Sequence, residues 1–465
     1  VIDEGLVQRV LGAALRTGAD FAELFVEDRR SSAAVLDDGR VEQLNSGRSR
    51  GAGIRVITGE TTGFAHTAEL SERGLLAAAE AAAAAARGGG PGTRTVDLSR
   101  QTAPTFSVVE TLPETVAKAH KVELLRRADD AARRQGGDVK QVTASYSDGR
   151  RKILVANSDG LLAGDDQVRT RFAVQSVAVG DTGMQTGFQS VGRTVGFELF
   201  SQVDVDDIAA RSAQQALRKL AARPAPSGEL PVVIKAGRGA VLFHEACGHP
   251  LEADLVGKGA SVFKNRVGER VASEHVTLID DAAVAGEWGC YSIDDEGRPA
   301  ERSVLIENGM LTDYMYDFLR ARKEGRLSSS NGRRQTYQHL PMVRMTNTFL
   351  QNGDDDPDEI VRQTPYGVYL AALGGGQVNT ASGDFVFGMT EAYMIEDGQI
   401  TYPIRDANLI GSGADVLAKI DAVANDFAMA PGGGMCGKDG QSAPVGMGQP
   451  TLRVSAMTIG GTAGA

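Results

Sequence analysis

Cysteine is scarce, with three thiols in 465 residues. So few cannot build a disulfide framework, which favours a reducing compartment and leaves each sulfur free for other chemistry. Long apolar runs are missing too, since no stretch approaches the ~18 residues of a membrane span. The nearest, Leu75 to Arg87, is alanine around Glu80 and reads as a soluble helix. The first ten residues carry Asp3 and Glu4 and lack the basic-then-apolar order of a signal peptide. The expectations are therefore no membrane association and a cytoplasmic location. Positive charge is also short: 49 Lys and Arg stand against 60 Asp and Glu, a net charge of −11. That balance repels phosphate backbones and argues against nucleic acid as a partner.

What the chain has in excess is glycine, 57 residues, well above the usual ~7%. Many turns and close backbone approaches follow, rather than a helical bundle. A composition of 42% hydrophobic and 23% charged residues is ordinary for a globular protein. The length implies two or three domains at ~150 residues each.

Residues 1–100 read as an α/β unit. A helix is expected over Val7–Arg16, followed by strands Phe21–Asp28, Ser32–Leu36, Val41–Asn45, Gly53–Thr58 and Thr62–Ala65, and a helix Ser71–Arg87. The run Gly88–Gly92 marks a linker. Residues 101–228 form a second, α+β unit with a highly charged helix Pro113–Gln135, read as a solvated face. Hairpin signals follow at Ser147-Asp148-Gly149 and Asn157-Ser158-Asp159-Gly160, then strands Phe172–Val179 and Thr186–Val195 and a helix Val205–Ala222. Pro224–Gly228 is a second linker. Residues 229–465 are mostly strand-like, with helices near 238–256 and 415–428. The fold class is α+β: a strand-rich, multi-domain chain whose N-terminal α/β units precede a mainly β C-terminal domain.

One cluster is dense in chemistry: His244-Glu245-Ala246-Cys247-Gly248-His249-Pro250-Leu251-Glu252. A His-Glu pair followed by a second His is similar to the pattern in which two imidazoles bind Zn²⁺ and the Glu is a general base. In the common form the histidines are four apart and share a helix face. Five apart spans about 500°, turning His249 about 140° away from His244 on a regular helix. Pro250 lacks an N–H and disfavours α geometry at His249, and Gly248 tolerates distortion. A π-type bulge or a helix break between Ala246 and Leu251 would bring both rings to one ion. The third ligand is open on this reading: His66, His120, His275, His339, Cys290, Cys436 and aspartates all qualify. Cys436 stands out because it lies in a glycine bed, Gly432-Gly433-Gly434-Met435-Cys436-Gly437, which disfavours routine core packing of its thiol.

These residues carry a family resemblance. His244–Asp254, Pro341–Thr348 and Gly434–Gln441, with weaker similarity across nearly the whole length, resemble the TldD branch of the TldD/TldE (PmbA) metallopeptidases, also called modulators of DNA gyrase. The resemblance implies that His244, His249 and Cys436 ligate one Zn²⁺ per chain and that Glu245 is the catalytic base. It implies a zinc-dependent peptidase acting on short or unfolded peptides in an enclosed chamber. It also implies a homodimer, or a heterodimer with a family member that lacks the motif. The rival reading is a non-catalytic peptide-binding or regulatory partner with a structural metal or none; an intact Glu245 favours the enzyme. The 229–465 segment would then be the zinc-peptidase domain.

Other motifs carry less. Gly432 to Lys438 spells G-x-x-x-x-G-K, but Asp439 replaces the Ser or Thr that would hold Mg²⁺, and no helix can follow through Gly440 and Pro444. Gly47-Arg48-Ser49-Arg50-Gly51 fits G-x-S-x-G but leads into a strand, not a helix. Asp294-Asp295-Glu296 reads as a turn before Gly297, and Arg333-Arg334 as surface charge, with contact to a substrate as the alternative.

Overall fold

The computed structural model describes residues 2–86, 96–379 and 381–461. The Gly88–Gly92 linker lies outside them. The architecture is the strand-rich α+β arrangement expected, built on three main sheets.

The first sheet holds long antiparallel strands in the order Thr61–Thr67, Arg40–Thr58, Phe21–Asp37, Val139–Asn157 and Leu161–Gly180, with Gly183–Arg193 on the last. Its strands are longer than local sequence suggests. Phe21–Asp28 and Ser32–Leu36 are one strand, and so are Val41–Asn45 and Gly53–Thr58. Ser147-Asp148-Gly149 is not a hairpin but mid-strand. Gly149 pairs with Ser31 on one side and Arg169 on the other, so ladder hydrogen bonds on both flanks outweigh its turn preference. Asn157–Gly160 does form a turn. The Gly47–Gly51 motif is likewise extended strand.

Among the described residues, four helices of eleven residues or more cover this sheet. Glu4–Ala14 and Glu72–Ala86 pack alanine-rich faces over one end, around Val10, Leu11, Leu24, Ile54 and Leu75. Lys118–Arg133 and Val205–Leu220 cover the other around Leu125, Tyr146, Phe172 and Ile208. The charged helix is not wholly a solvated face, because Lys121 is buried and paired with Asp148 at 2.7 Å.

In the C-terminal half, five strands close on themselves: Tyr366–Val378, Gly228–Ile234, Leu452–Gly460, Asn408–Ser412 and Asp384–Glu396, the last pairing back to the first. Closure removes free edges among these strands. A further sheet carries Leu278–Asp281, Asn347–Leu350 and Gln441–Gln449. The expected helix at 415–428 is shorter. It runs Gly413–Lys419 and gives way to the strand Ile420–Val423, whose β-branched ends pair with Leu452–Gly460.

Buried ion pairs join the first sheet to this half. Arg55 reaches Glu23 at 2.6 Å and Glu296 at 2.8 Å, and Arg151 reaches Asp295 at 2.7 Å, all at buried or nearly buried positions. Arg334 pairs with Glu23 and is fully buried, and Arg333 is buried too. Both arginines are therefore structural groups of the interior, not surface charge. Each satisfies acids or carbonyls that burial would otherwise leave without partners.

Candidate metal centre

The cluster begins on a short helix, Val241–Phe243, anchored by Leu242 and Phe243 in the C-terminal core. From His244 to Gly248 the helix widens to a π turn, and His249–Leu251 tightens to 3₁₀. The His249 N–H donates to the His244 carbonyl, an i→i+5 bond. That bond stacks residues five apart, which regular α geometry cannot do. The imidazoles consequently share a face, with ring centroids 5.2 Å apart. Close neighbours hold the distortion. A Cβ on Gly248 would sit 2.2 Å from Met345 Sδ, and one on Gly413 would sit 2.2 Å from the Ala246 carbonyl.

Cys436 comes from the hairpin of Gly434–Lys438 and Gln441–Gln449. Its two-residue turn, Asp439-Gly440, has φ of 48° and 74°. Positive φ at both positions is the type I′ geometry that Asp-Gly favours, so the phosphate-loop lookalike is a β-turn. Strand alternation puts Cys436 and Lys438 on one face. Cys436 Sγ lies 3.2 Å from His249 Nε2. The donor atoms of His244, His249 and Cys436 all lie within 4.8 Å of one another, and the three residues are buried. Glu245 Oε2 is 3.7 Å from His249 Nε2, with about a third of its side chain exposed.

Would a metal fit here? Both ring nitrogens of His244 are buried without a hydrogen-bond partner among the described residues. A buried imidazole so placed lacks the partners such groups ordinarily have, and an ion on one nitrogen supplies one. Tetrahedral zinc with ligands at ~2.0–2.3 Å holds its donors roughly 3.3–3.8 Å apart, compatible with this spread. The electrostatics agree. Burial pushes the Cys436 thiol up, but His244 and His249 overturn it and bring the pKa down to about 4. Burial opposes a charged His249, yet Glu252 and Cys436 hold its pKa well above the ordinary value. A site that draws positive charge onto an imidazole beside a thiolate suits a divalent cation in place of the proton. The other thiols lie apart. Cys247 faces the core, where burial raises its pKa, and Cys290 accepts from Ser107 Oγ at 3.7 Å.

Sequence reasoning gave no role to the groups behind the three candidate ligands. Glu252 Oε2 lies 3.0 Å from His249 Nδ1, leaving Nε2 free to face Cys436. Lys438 Nζ donates to Glu252 at 2.9 Å, Asp254 at 2.7 Å and the Val343 carbonyl at 3.0 Å. Burial works against the Glu252 carboxylate, but Lys438 and His249 bring its pKa down to about 2. Arg344 donates to the Cys436 carbonyl and, at 3.1 Å, to that of Gln441, clamping the hairpin. The signals were Glu252 one turn beyond His249 and Lys438 two residues after Cys436. Carboxylates so placed orient an imidazole and raise its basicity. Glu252→Gln is expected to lower metal affinity about 10–100-fold, read by competition with a chromophoric chelator. Unchanged affinity would remove Glu252 from that role.

Comparison with known proteins follows the same outline. Three family profiles match in chain order: PmbA/TldA metallopeptidase domain 1 over residues 22–86, the central domain over 111–220 and the C-terminal domain over 227–461. A metalloprotease TldD homolog of Buchnera aphidicola is 39% identical over 452 residues, covering 95% of this chain and 93% of that one. A metalloprotease of Methanothermobacter thermautotrophicus is 37% identical over 449 residues, covering 95% and 96%. Two solved structures share the fold. One, from Thermotoga maritima and described as a candidate modulator of DNA gyrase, has a TM-score of 0.82 at 20% identity, covering 98% of this chain and 100% of its own. The other, TldE of Thermococcus kodakarensis, has a TM-score of 0.78 at 20% identity, covering 98% and 99%.

Proposed function

The chain belongs to the PmbA/TldA metallopeptidase family, and we propose that this member is a zinc-dependent peptidase acting on short or unfolded peptides. The carrying observation is the buried His244–His249–Cys436 cluster with Glu245 at its exposed rim. His244, His249 and Cys436 would hold one Zn²⁺ per chain, a ligand set of imidazole and thiolate that suits zinc. Bound there, the ion would supply Lewis-acid polarisation of a peptide carbonyl and a lowered pKa for water.

The chain's own groups supply the rest. Glu245 Oε2 accepts the proton of the attacking water and returns it to the leaving amine. Glu252 fixes the His249 ring through Nδ1, and Lys438 keeps Glu252 ionised. His244, His249 and Cys436 are buried, whereas about a third of the Glu245 side chain is exposed.

Extended substrate fits a strand-rich surface, because only an unfolded segment can offer its backbone to a strand edge. One polypeptide incubated in its folded and denatured states should be cut only when denatured, read by mass spectrometry of fragments. Equal cutting of both would contradict the restriction. Enclosure of the site is proposed to come from dimerisation, with itself or with a motif-lacking relative. Native mass spectrometry at micromolar concentration should return twice the chain mass or a mixed pair; a single-chain mass would count against it.

A further inference from the structure

A cavity of about 580 Å³ lies on the far face of the Cys436 hairpin. Met435 and its cross-strand partner Pro444 form its wall there, and strand alternation points both away from the face that bears Cys436. The opposite wall is the first sheet. Four arginines line the cavity without an ion pair to any carboxylate among the described residues: Arg29, Arg169, Arg171 and Arg333. Arg333 is buried and donates to two carbonyls, Met345 at 2.5 Å and Pro444 at 2.6 Å. Arg169 donates to the carbonyls of Trp288 and Cys290 and to Gln167 Oε1. Arg171 Nε is buried with no hydrogen-bond partner among the described residues. Arg151 and Arg334, on the same wall, are matched by Glu27, Asp295 and Glu23.

The unmatched set is therefore a local surplus of positive charge in a chain whose net charge is −11. Burying cations without counter-charge is costly, and that cost falls on Arg333, which is buried, and in part on Arg169 and Arg171, which are half-buried, while Arg29 sits exposed at the rim. Burial, with Arg333 and Arg151 close by, drags even the Arg169 guanidinium down to about 9. An anion in the cavity would relieve that cost. Guanidinium forks match oxyanions in planar, bidentate geometry.

Two features select a peptide as the bearer of the anion. Trp288, Met435 and Pro444 give the cavity an apolar side. The rim strand Arg40–Thr58 pairs with Thr61–Thr67 only from Ala52 onward, so its Asn45–Gly47 edge has no strand partner on that side among the described residues. An extended chain can add there.

We propose that this cavity binds the carboxylate groups of a peptide, holding an acidic segment of the substrate against the reverse of the metal-bearing hairpin. The choice of a peptide rests on the peptidase reading; the anion site rests on the arginines. Carboxylates could come from acidic side chains or from a chain end.

Trp288 is the one tryptophan in the sequence and lines the cavity, so its fluorescence reports occupancy. Hexaglutamate and hexaglutamine, each with a free or amidated C-terminus, would be titrated into the zinc-loaded Glu245→Gln chain, which should leave them uncut. The expected result is at least about tenfold tighter binding of hexaglutamate, the scale of one charge-assisted hydrogen bond. That preference should shrink in Arg171→Gln and in Arg29→Gln, the latter at an exposed position where folding is not at stake. A preference for hexaglutamate that survives amidation would assign the site to acidic side chains; equal binding of the two free-acid peptides that amidation weakens about tenfold would assign it to the chain end. Binding that neither glutamate side chains nor a free C-terminus strengthens, or a preference untouched by both substitutions, would overturn the proposal. A parent chain that cuts peptides yet shows no acidic preference removes this site alone. One that binds hexaglutamate and cuts nothing removes the peptidase reading alone.

Discussion

Glu245→Gln is expected to abolish peptide hydrolysis while leaving the metal in place. His244, His249 and Cys436 are buried, whereas about a third of the Glu245 side chain is exposed, its Oε2 3.7 Å from His249 Nε2. Glutamine keeps the shape and a hydrogen-bonding oxygen but cannot take a proton. General acid–base assistance contributes on the order of 10²–10⁴-fold, so the variant should fall by about that factor. Hydrolysis of an unstructured peptide, with zinc content by elemental analysis on the same preparation, reads both quantities. A variant as active as its parent would remove Glu245 as the base. One that loses activity and metal together would make it a ligand instead.

Cys436→Ala should have the opposite signature, losing the ion and the activity with it. The thiol comes from a hairpin 187 residues from His249 in sequence, at 3.2 Å in space. Among the described residues, no fourth His, Cys, Asp or Glu joins the cluster of His244, His249 and Cys436 to replace it. Removing one of three protein ligands should cut zinc affinity at least about tenfold. Cys247→Ala and Cys290→Ala should keep full occupancy, because Cys247 packs in the core and Cys290 faces Ser107. Full zinc retention in Cys436→Ala would sink the ligand assignment.

The local backbone geometry of the candidate metal centre was legible in the sequence, and its support was not. Five-residue spacing with Gly248 and Pro250 forecast a distorted helix, and a π turn followed by a 3₁₀ turn stands there. That inference needed only helix geometry and two residues with strong backbone preferences. Glu252 and Lys438 were in plain view but meet only when the hairpin folds onto the site helix, a contact across 186 residues. The misreadings share a cause. Ser147-Asp148-Gly149 looks like a turn until strands pair on both flanks, and Arg333-Arg334 looks like surface until Glu23 arrives from the other end of the chain. Local propensity cannot report partners that tertiary structure brings.

The central claim is that His244, His249 and Cys436 together hold one zinc ion. X-ray absorption at the zinc edge of the purified protein tests it most directly. The expected first shell contains one sulfur at ~2.3 Å and two imidazole nitrogens at ~2.0–2.1 Å. A shell of nitrogen and oxygen alone in the parent protein would contradict it.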